Sequence, residues 1–365
     1  MASILFSPIK LGSVELANRI VVAPMCQYSA VDGCATDWHI AHLGMLANSG
    51  AGLVVFEATH VERHGRITHG CMGLYSDESE AALRRIVDFC RRAGTAKLGI
   101  QLAHAGRKAS SQRPWEGGGP LKPGQDPWET VAPSALPFGP GWHTPRAMVA
   151  DDFARVRGAF AASARRAVRI GFDAIELHMA HGYLAHSFMS PLSNQRTDQY
   201  GGSAENRMRF PRDIAEAVRQ VVPHTIALGA RITGSDWVDG GLIAADAAFC
   251  AKMLRAAGFD YVDISSGGVS SEARSPTTPG YNAYIAKQVR ATGIATRTVG
   301  LIVTPQQAEE IVSGGQADMV ALARAILDDP HWGWRAARTL GADIKRPNQY
   351  LRSAPALWPG AAHVR

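Results

Sequence analysis

The stretch DDFARVRGAFAASARRAVRIGFDAIELH, residues 151–178, shows the unit from which this chain is built. Its first part, Asp151–Ile170, carries apolar side chains at helical spacing, and Asp151 is the predicted N-cap. Gly171 then ends the helix, and the apolar run Phe172–His178 predicts a strand. A strand that is almost continuously apolar is typical of a parallel sheet covered on both faces.

The same alternation of strand and helix recurs along the chain, and glycine turns precede several strands in the same way. The predicted strands are Asn18–Pro24, Gly52–Ala58, Lys97–Ala103, Phe172–His178, Ile226–Thr233, Phe259–Ser265, Thr296–Leu301 and Ala317–Ala323. The predicted helices lie near residues 38–48, 77–93, 151–170, 205–222, 244–257, 281–291, 304–313 and 332–340. Eight such units predict a single (β/α)8 TIM barrel domain over residues 1–365. A doubly wound sheet is the alternative, but no GxGxxG loop follows the first strand.

Two segments stand outside this alternation. Residues 112–144 are rich in Gly, Pro and Trp and show neither helical nor strand periodicity. A long loop after strand three is expected to act as a lid over the barrel mouth, the alternative being an inert excursion. Residues 341–365 form a C-terminal tail.

The composition narrows the class of protein. The chain has 365 residues, 46% hydrophobic and 19% charged, which excludes global disorder. No apolar run approaches the roughly 20 residues of a membrane helix, and no secretory signal is visible, so we expect a cytoplasmic protein. The net charge of +6 comes from bases spread along helices without a nucleic-acid-reading motif. We therefore expect small anionic partners and no nucleic acid.

The five cysteines show no CxxC pair and no regular spacing, so a disulfide framework or structural zinc site is not expected. Four of them, Cys34, Cys71, Cys90 and Cys250, are interpreted as small apolar filler. Cys26 lies at the end of the first predicted strand and is kept apart from these four.

In a TIM barrel, chemistry lies just after the C-terminal ends of the strands. His178 and His181 lie there, past strand four, and could ligate a metal or donate hydrogen bonds to an anionic oxygen. We prefer the anionic oxygen, because no third ligand is evident and Glu176 is expected to point away. Tyr183 is a candidate proton donor, or else a packing residue.

Two further strand ends indicate an anion site. Gly300–Leu301 and Ala323–Arg324 end strands seven and eight, whose loops commonly bind phosphate. Arg324 could pair with a phosphate or form a salt bridge at a helix start. Arg231 ends strand five, and a buried arginine there needs an anionic or electron-rich partner.

Four motifs resemble those of the old yellow enzyme family of FMN-dependent ene-reductases. They are Asn18-Arg19-Ile20 with APMCQY at 23–28, QLAHAGRK at 101–108, HMAHGYL at 178–184 and SPLSNQRTDQYGGS at 190–203. The match covers nearly the whole chain. Within the family, the chain is similar to a bacterial subgroup that includes xenobiotic reductase A and the thermophilic-like members.

The resemblance implies a non-covalent FMN at the C-terminal mouth of the barrel. It places Ala23, Pro24, Met25 and Cys26 along the isoalloxazine ring, with Cys26 tuning the flavin. Further implied contacts are Ala58, Gln101, His178, Arg231 and Ser266 around the ring, and Gly300, Leu301, Ala323 and Arg324 at the phosphate. The family usually has Gly at the position of Ala323.

The resemblance also implies a ping-pong reaction in which NADPH or NADH reduces FMN, and flavin N5 then passes hydride to the β-carbon of an activated alkene. Enones, maleimides and nitroalkenes are the implied substrates, with nitroesters and other xenobiotics in addition. His178 and His181 would bind the substrate oxygen, and Tyr183 would protonate the α-carbon. Tyr28, Lys108, Arg352 and Trp358 are the other implied substrate contacts. Arg352 would reach a neighbouring active site in a homodimer or homotetramer.

Two rival functions stay open at this point. One is a metal-dependent barrel lyase or hydrolase that uses the histidine pair as ligands. The other is a flavin-storage protein without catalysis.

Overall fold

The computed structural model describes residues 2–363 and forms a closed barrel of eight parallel strands. The strands are β1 (Ile20–Val22), β2 (Leu53–His60), β3 (Lys97–Ala103), β4 (Ala174–Met179), β5 (Ala227–Thr233), β6 (Tyr261–Ser265), β7 (Ala295–Thr298) and β8 (Met319–Leu322). Each strand pairs with the next, and β8 pairs with β1 to close the sheet. The predicted (β/α)8 architecture is confirmed.

A helix follows each strand and covers the outside of the barrel. The main helices are α1 (Asp37–Leu46), α2 (Asp77–Ala93), α3 (Ala150–Ile170), α4 (Arg209–Arg219), α5 (Ala244–Ala256), α6 (Ala283–Arg290), α7 (Pro305–Ser313) and α8 (Trp332–Thr339). Short helices occupy Leu184–Met189, Ala204–Arg207 and Arg324–Asp328, and 3-10 turns occupy Arg63–Gly65, Gly106–Lys108, Pro114–Glu116, Asn348–Ser353 and Pro359–His363. Among residues 2–363, no helix combines the length and apolarity needed to cross a bilayer.

Two local predictions were wrong. Asp151 does not cap α3, because the helix begins one residue earlier and Val149 is its N-cap. The neighbouring Asp152 carboxylate accepts the Val149 amide instead, at 3.0 Å. The helix predicted over residues 205–222 is divided at Met208. Pro211 in the first turn of α4 has no N–H to donate four residues back, which weakens the helix there.

The sequence prediction missed a hairpin that closes the bottom of the barrel. Its strands, Ile9–Leu11 and Val14–Leu16, pair antiparallel. Leu11, Val14 and Leu16 are buried in one apolar cluster with inward-facing barrel residues. Burial of apolar surface therefore seals the N-terminal end, which leaves the C-terminal end as the open mouth.

The recurring glycine turns lie at the N-terminal end of the barrel and stabilise it. Gly171 ends α3 in the left-handed conformation, with φ at 96°. An aspartate then precedes the next strand and accepts an amide of the previous strand. This arrangement occurs at Asp173 with Leu98 (2.9 Å), Asp260 with Leu228 (2.8 Å) and Asp318 with Thr296 (2.9 Å). The repeated motif therefore ties adjacent strands together, away from the mouth.

Residues 112–144 are anchored to the barrel. Val131–Ala132 pairs with Arg146–Ala147 as a two-residue parallel strand. Arg107 donates to the carbonyls of Leu136 and Pro137, at 3.2 and 3.1 Å. The segment is irregular in backbone conformation but is fastened on the mouth side of β3.

Candidate active site

The inner face of the barrel carries a buried layer of four charged side chains. Glu176 on β4 and Asp263 on β6 alternate with Arg231 on β5 and Arg297 on β7. Arg297 contacts Glu176 and lies 2.9 Å from Asp263 through Nε. Arg231 lies 2.5 Å from Asp263. Two positive and two negative charges thus neutralise each other in a space without water contact, which is the condition for burying them.

Glu176 does not point away from the histidines, contrary to the sequence prediction. Residues two apart on a strand share a face, so Glu176 lies on the inner face with His178. Its carboxylate accepts from Gln101 at 2.8 Å and Tyr261 at 3.2 Å, besides contacting Arg297. It is fully engaged there, and residues 2–363 contain no cluster of three side chains that could hold a metal ion.

Arg231 lies within β5, two residues before the strand ends, and its anionic partner is a residue that the sequence analysis missed. That partner is Asp263, and both lie within the barrel. One nitrogen of Arg231, Nη2, is buried and makes no hydrogen bond to any described residue. The same is true of the Ser266 hydroxyl after β6. Two orphaned polar atoms at the mouth indicate that a polar group binds there.

His178 and His181 form a chain of hydrogen bonds whose direction is set by a backbone amide. The Ala180 N–H donates to His178 Nδ1 at 3.2 Å, so the His178 proton is on Nε2. That Nε2 faces His181 Nδ1 at 3.3 Å, and His181 Nε2 donates to the Ser265 hydroxyl at 2.6 Å. Burial is the largest cause that lowers the pKa of both imidazoles well below 6.5; the next is His181 for His178 and Arg231 for His181. Both rings are therefore neutral N–H donors.

Tyr183 lies beside this pair. Its ring centroid is 4.9 Å from that of His178, in an edge-to-face arrangement. Burial, and then Cys26 and Tyr28, raise the pKa of the phenol well above 10, so the hydroxyl keeps its proton. The Lys108 ammonium lies 4.9 Å from the Tyr183 ring centre. It donates to the carbonyl of His181 at 2.8 Å, which joins the loops after β3 and β4.

The loop after β1 closes the other side of the mouth. Cys26 and Tyr28 pack with Tyr183 around a small apolar cluster that includes Cys71. Burial raises the pKa of the Cys26 thiol, which therefore stays protonated. Of the four cysteines predicted as filler, Cys71, Cys90 and Cys250 are buried, whereas Cys34 is only partly so.

A cavity of about 300 Å³ opens between the ends of β7 and β8. Its lining includes Ser265, Tyr281, Gly300, Leu301, Ala323 and Arg324. A Cβ on Gly300 would lie 2.9 Å from the Tyr281 ring, so the backbone approaches closely here. Arg324 is exposed and makes no ion pair with the described residues, which leaves its guanidinium available for a phosphate. With the orphaned atoms of Arg231 and Ser266, these residues fit FMN.

Comparison with known proteins identifies the class. The chain matches the model of the NADH:flavin oxidoreductase / NADH oxidase family over residues 4–343. The chain belongs to this family. It is 44% identical over 352 residues to an NADPH dehydrogenase of Listeria innocua, covering 96% of this chain and 98% of that protein. It is 43% identical over 355 residues to an NADPH dehydrogenase of Geobacillus sp., covering 96% and 99%.

Solved structures agree with this family assignment. Morphinone reductase superposes with a TM-score of 0.78 and 28% identity, covering 95% of this chain and 92% of that one. A 2-naphthoyl-CoA reductase complex superposes with a TM-score of 0.82 and 26% identity, covering 92% of this chain. This chain spans 52% of the longer reductase. The predicted old yellow enzyme family is confirmed, and the protein is an FMN-dependent oxidoreductase that uses a nicotinamide nucleotide as reductant.

Two residues that the family resemblance assigned to the substrate lie apart from these strand ends. Arg352 is exposed on the 3-10 turn Asn348–Ser353. Trp358 lines a cavity of about 520 Å³ with Trp334 and Tyr350, and none of the strand-end residues above contributes to it. A role for either residue would therefore require a neighbouring subunit.

Proposed function

We propose that this flavin enzyme is an ene-reductase, which reduces the C=C bond of an alkene conjugated to a carbonyl or nitro group. The observation that carries the proposal is the meeting of three groups at the end of β4. They are the neutral donors His178 and His181 and the protonated Tyr183. When bound, FMN would supply the hydride that NADPH or NADH has provided.

The histidine pair would bind the substrate oxygen. A neutral imidazole N–H can stabilise a developing negative charge without giving up its proton, and this is the protonation state that burial imposes here. The Nε2–H of His178 points at His181 at 3.3 Å, a long hydrogen bond that a substrate oxygen could replace, whereas His181 would have to redirect to that oxygen the N–H that it now donates to Ser265. Such donors act most strongly in a water-poor site.

Tyr183 would deliver the proton to the α-carbon. Burial raises its pKa well above 10, so the phenol is protonated at neutral pH and the proton is present when the substrate binds. The protonated Cys26 thiol would tune the flavin through polarity and not as a nucleophile.

The chain's own residues would hold the cofactor in the places that the orphaned atoms mark. Arg231 Nη2 would face the edge of FMN that gains negative charge on reduction, and Ser266 would add a hydrogen bond. Gln101 already donates its amide to Glu176, which leaves its oxygen for the flavin. Ala23, Pro24, Met25 and Ala58 would contact the ring, and Gly300, Leu301, Ala323 and Arg324 the phosphate.

The segment 112–144 would form the outer wall of the substrate pocket. Trp115 meets the Tyr28 ring edge-on at 5.9 Å, and Arg113 donates to the Tyr28 carbonyl at 3.1 Å. The Trp115 ring is 67% exposed, so it presents an aromatic surface beside a proposed substrate contact.

Lys108, Arg352 and Trp358 would complete the substrate contacts, the last two from a second subunit of a homodimer or homotetramer. Nitroesters and other xenobiotics would be additional substrates. We also propose that the chain belongs to the bacterial thermophilic-like subgroup of the family.

An anaerobic titration tests the function. We expect a yellow protein that NADPH bleaches and 2-cyclohexenone turns yellow again, with parallel initial-rate lines. A yellow protein that does not turn over would indicate flavin storage. A colourless protein inactivated by a chelator would indicate a metal-dependent lyase.

The proton donor is tested separately with Tyr183→Phe. General acid catalysis contributes about 10²–10⁴-fold, so reoxidation by the enone should slow by at least about 100-fold. Reoxidation by ferricyanide needs no proton on carbon and should not change. Tyr75→Phe, which removes a hydroxyl that donates to the Asp32 carbonyl, is the matched control. Equal slowing with both oxidants would contradict the assignment.

A further inference from the structure

His186 and Asp236 form a buried pair beneath the turn that carries His181 and Tyr183, and no step of the proposed reaction uses either residue. Neither side chain exposes any surface. His186 lies on the short helix Leu184–Met189, and Asp236 follows β5. His186 Nε2 and Asp236 Oδ1 are 2.9 Å apart in a bent contact, with the oxygen off the N–H axis.

The amide of Gly182 determines the tautomer of His186. A backbone N–H can only donate, and the Gly182 nitrogen lies 2.7 Å from His186 Nδ1. Nδ1 is therefore unprotonated, and the ring proton is on Nε2, toward Asp236. The other carboxylate oxygen accepts from the Leu242 amide at 2.8 Å and the Ser190 hydroxyl at 2.7 Å. A carboxylate held in this way maintains the tautomer and orientation of the histidine behind it.

Gly182 is the residue between His181 and Tyr183, so its position sets theirs. The turn is tight, with φ of 60° at His181 and 74° at Gly182. On the side of the β6 loop, a Cβ on Gly182 would overlap the Gly268 carbonyl, so the turn is packed against that loop. The hydrogen bond from Gly182 to His186 therefore anchors a turn that is closely packed on its other side.

We propose that His186, held by Asp236, is a positioning residue that sets the place of the Tyr183 phenol and of His181 relative to the substrate. The inference rests on the proposed ene-reductase function. Misplacement of a reacting group by about 1 Å can cost about 100-fold in rate, so a device that fixes the turn has a large kinetic effect.

The same arrangement occurs at two other loops of the mouth. The Thr36 amide donates to His39 Nδ1 at 2.9 Å, and His39 Nε2 faces Glu57 at 3.1 Å. The Gly106 amide donates to His104 Nδ1 at 3.0 Å, and His104 Nε2 faces Glu62 at 2.8 Å. All three histidines are buried. A carboxylate-backed histidine that accepts a loop amide is thus a recurring way in which this barrel fixes its loops.

The test uses Asp236→Asn in the FMN-loaded enzyme. This change keeps the side-chain volume but places an amide where the carboxylate faced His186, which disfavours the Nε2–H tautomer. The enzyme is reduced anaerobically with dithionite and mixed with 2-cyclohexenone or with ferricyanide. The readout is the ratio of the two reoxidation rates, which a general loss of stability does not change. Asp260→Asn is the matched control, because Asp260 also accepts a backbone amide but lies at the bottom of the barrel.

We expect Asp236→Asn to lower the enone-to-ferricyanide ratio by about 10- to 100-fold, and Asp260→Asn to keep it within about twofold. His186→Gln should lower the ratio in the same way, because a glutamine amide cannot both accept from Gly182 and donate to Asp236 at the positions of the two ring nitrogens. Loss of FMN or of cooperative melting in both variants would overturn the proposal, because the pair would then hold the fold and not the turn. A wild-type enzyme that enone cannot reoxidise would overturn the proposed function and this inference together. A reactive wild type with an unchanged Asp236→Asn ratio would overturn this inference alone.

Discussion

Removal of Arg297 tests whether the charged layer inside the barrel is held together by charge balance. Its guanidinium is fully buried, contacts Glu176 and Asp263, and lies 5.3 Å from the centre of the Tyr261 ring. Arg297→Met leaves two buried carboxylates against Arg231 alone. Breaking a buried ion pair from one side costs about 3–5 kcal/mol, because the remaining charge has no compensation. With about 2.1 cal/mol/K of unfolding entropy per residue, a loss of about 4 kcal/mol lowers Tm by about 5 °C.

The dependence of that loss on pH identifies its cause. In the wild type, burial raises the pKa of Asp263, but Arg231 and Arg297 outweigh it and lower the pKa overall. The ionised Asp263 therefore stabilises the folded protein at pH values above its pKa in the unfolded chain. This stabilisation is lost as pH falls through its lower pKa in the folded protein. In Arg297→Met, one of the two cations that lower the pKa of Asp263 is absent while burial still raises it, so the loss of stability grows as pH rises.

The assay is urea unfolding at pH 8 and pH 5.5 with FMN in excess, followed by circular dichroism. Part of the loss should be recovered at pH 5.5, because protonation of a carboxylate removes the excess negative charge. The double variant Arg297→Met, Glu176→Gln removes the excess charge and should recover a similar amount at pH 8. A loss that is independent of pH, together with additive effects in the double variant, would refute the reasoning and indicate a packing defect.

Three further predictions concern single positions. Gly229→Ala should destabilise by about 1–3 kcal/mol, since its Cβ would overlap the Tyr261 ring, and an unchanged urea midpoint would contradict this. Burial lowers the pKa of Lys108 to about 8, so its contact with the His181 carbonyl should weaken and enone reduction should decline above pH 8. Lys108→Met should lack that decline, and identical pH profiles of the two enzymes would exclude a role of the Lys108 ammonium in the reaction. Trp115→Ala should raise the KM of bulky enones severalfold at unchanged kcat, because they lose contact with its ring. An equal rise for cyclohexenone would argue against a contact that only bulky enones reach.

The repeating unit made the barrel predictable. Strand and helix alternate with helix-ending glycines such as Gly171, and these are local signals that one sequence carries. The closure of the barrel then places all strand ends at one mouth, so His178, His181 and Tyr183 could be named as neighbours in advance. A local signal failed at Asp151, because the helix begins earlier and Asp152, in its first turn, accepts the amide of the N-cap Val149 instead.

The inner charged layer could not be predicted from local pattern. Arg297 and Asp263 are charged residues within predicted barrel strands, and that position is the one signal that could have found them. Which charge meets which depends on strand register across β4 to β7, since Asp263 lies opposite Arg231 on one side and Arg297 on the other. The histidine–carboxylate pairs have the same origin, because His186 and Asp236 are 50 residues apart in the chain and meet only through the barrel.

The amino-acid sequence by itself determined the order of elements, the closed barrel, the family and the residues at the strand ends. Those properties follow from periodicity, glycine turns and motifs that act over a few residues. Tertiary structure alone decided the protonation and orientation of those residues. The direction of the His178–His181 hydrogen bonds comes from one amide, and the His186 tautomer comes from Gly182. Nη2 of Arg231 is left without a partner because Glu176 and Asp263 both approach its Nε. Hydrogen-bond direction and burial depend on atoms that the chain brings together from distant positions, and a linear pattern does not encode them.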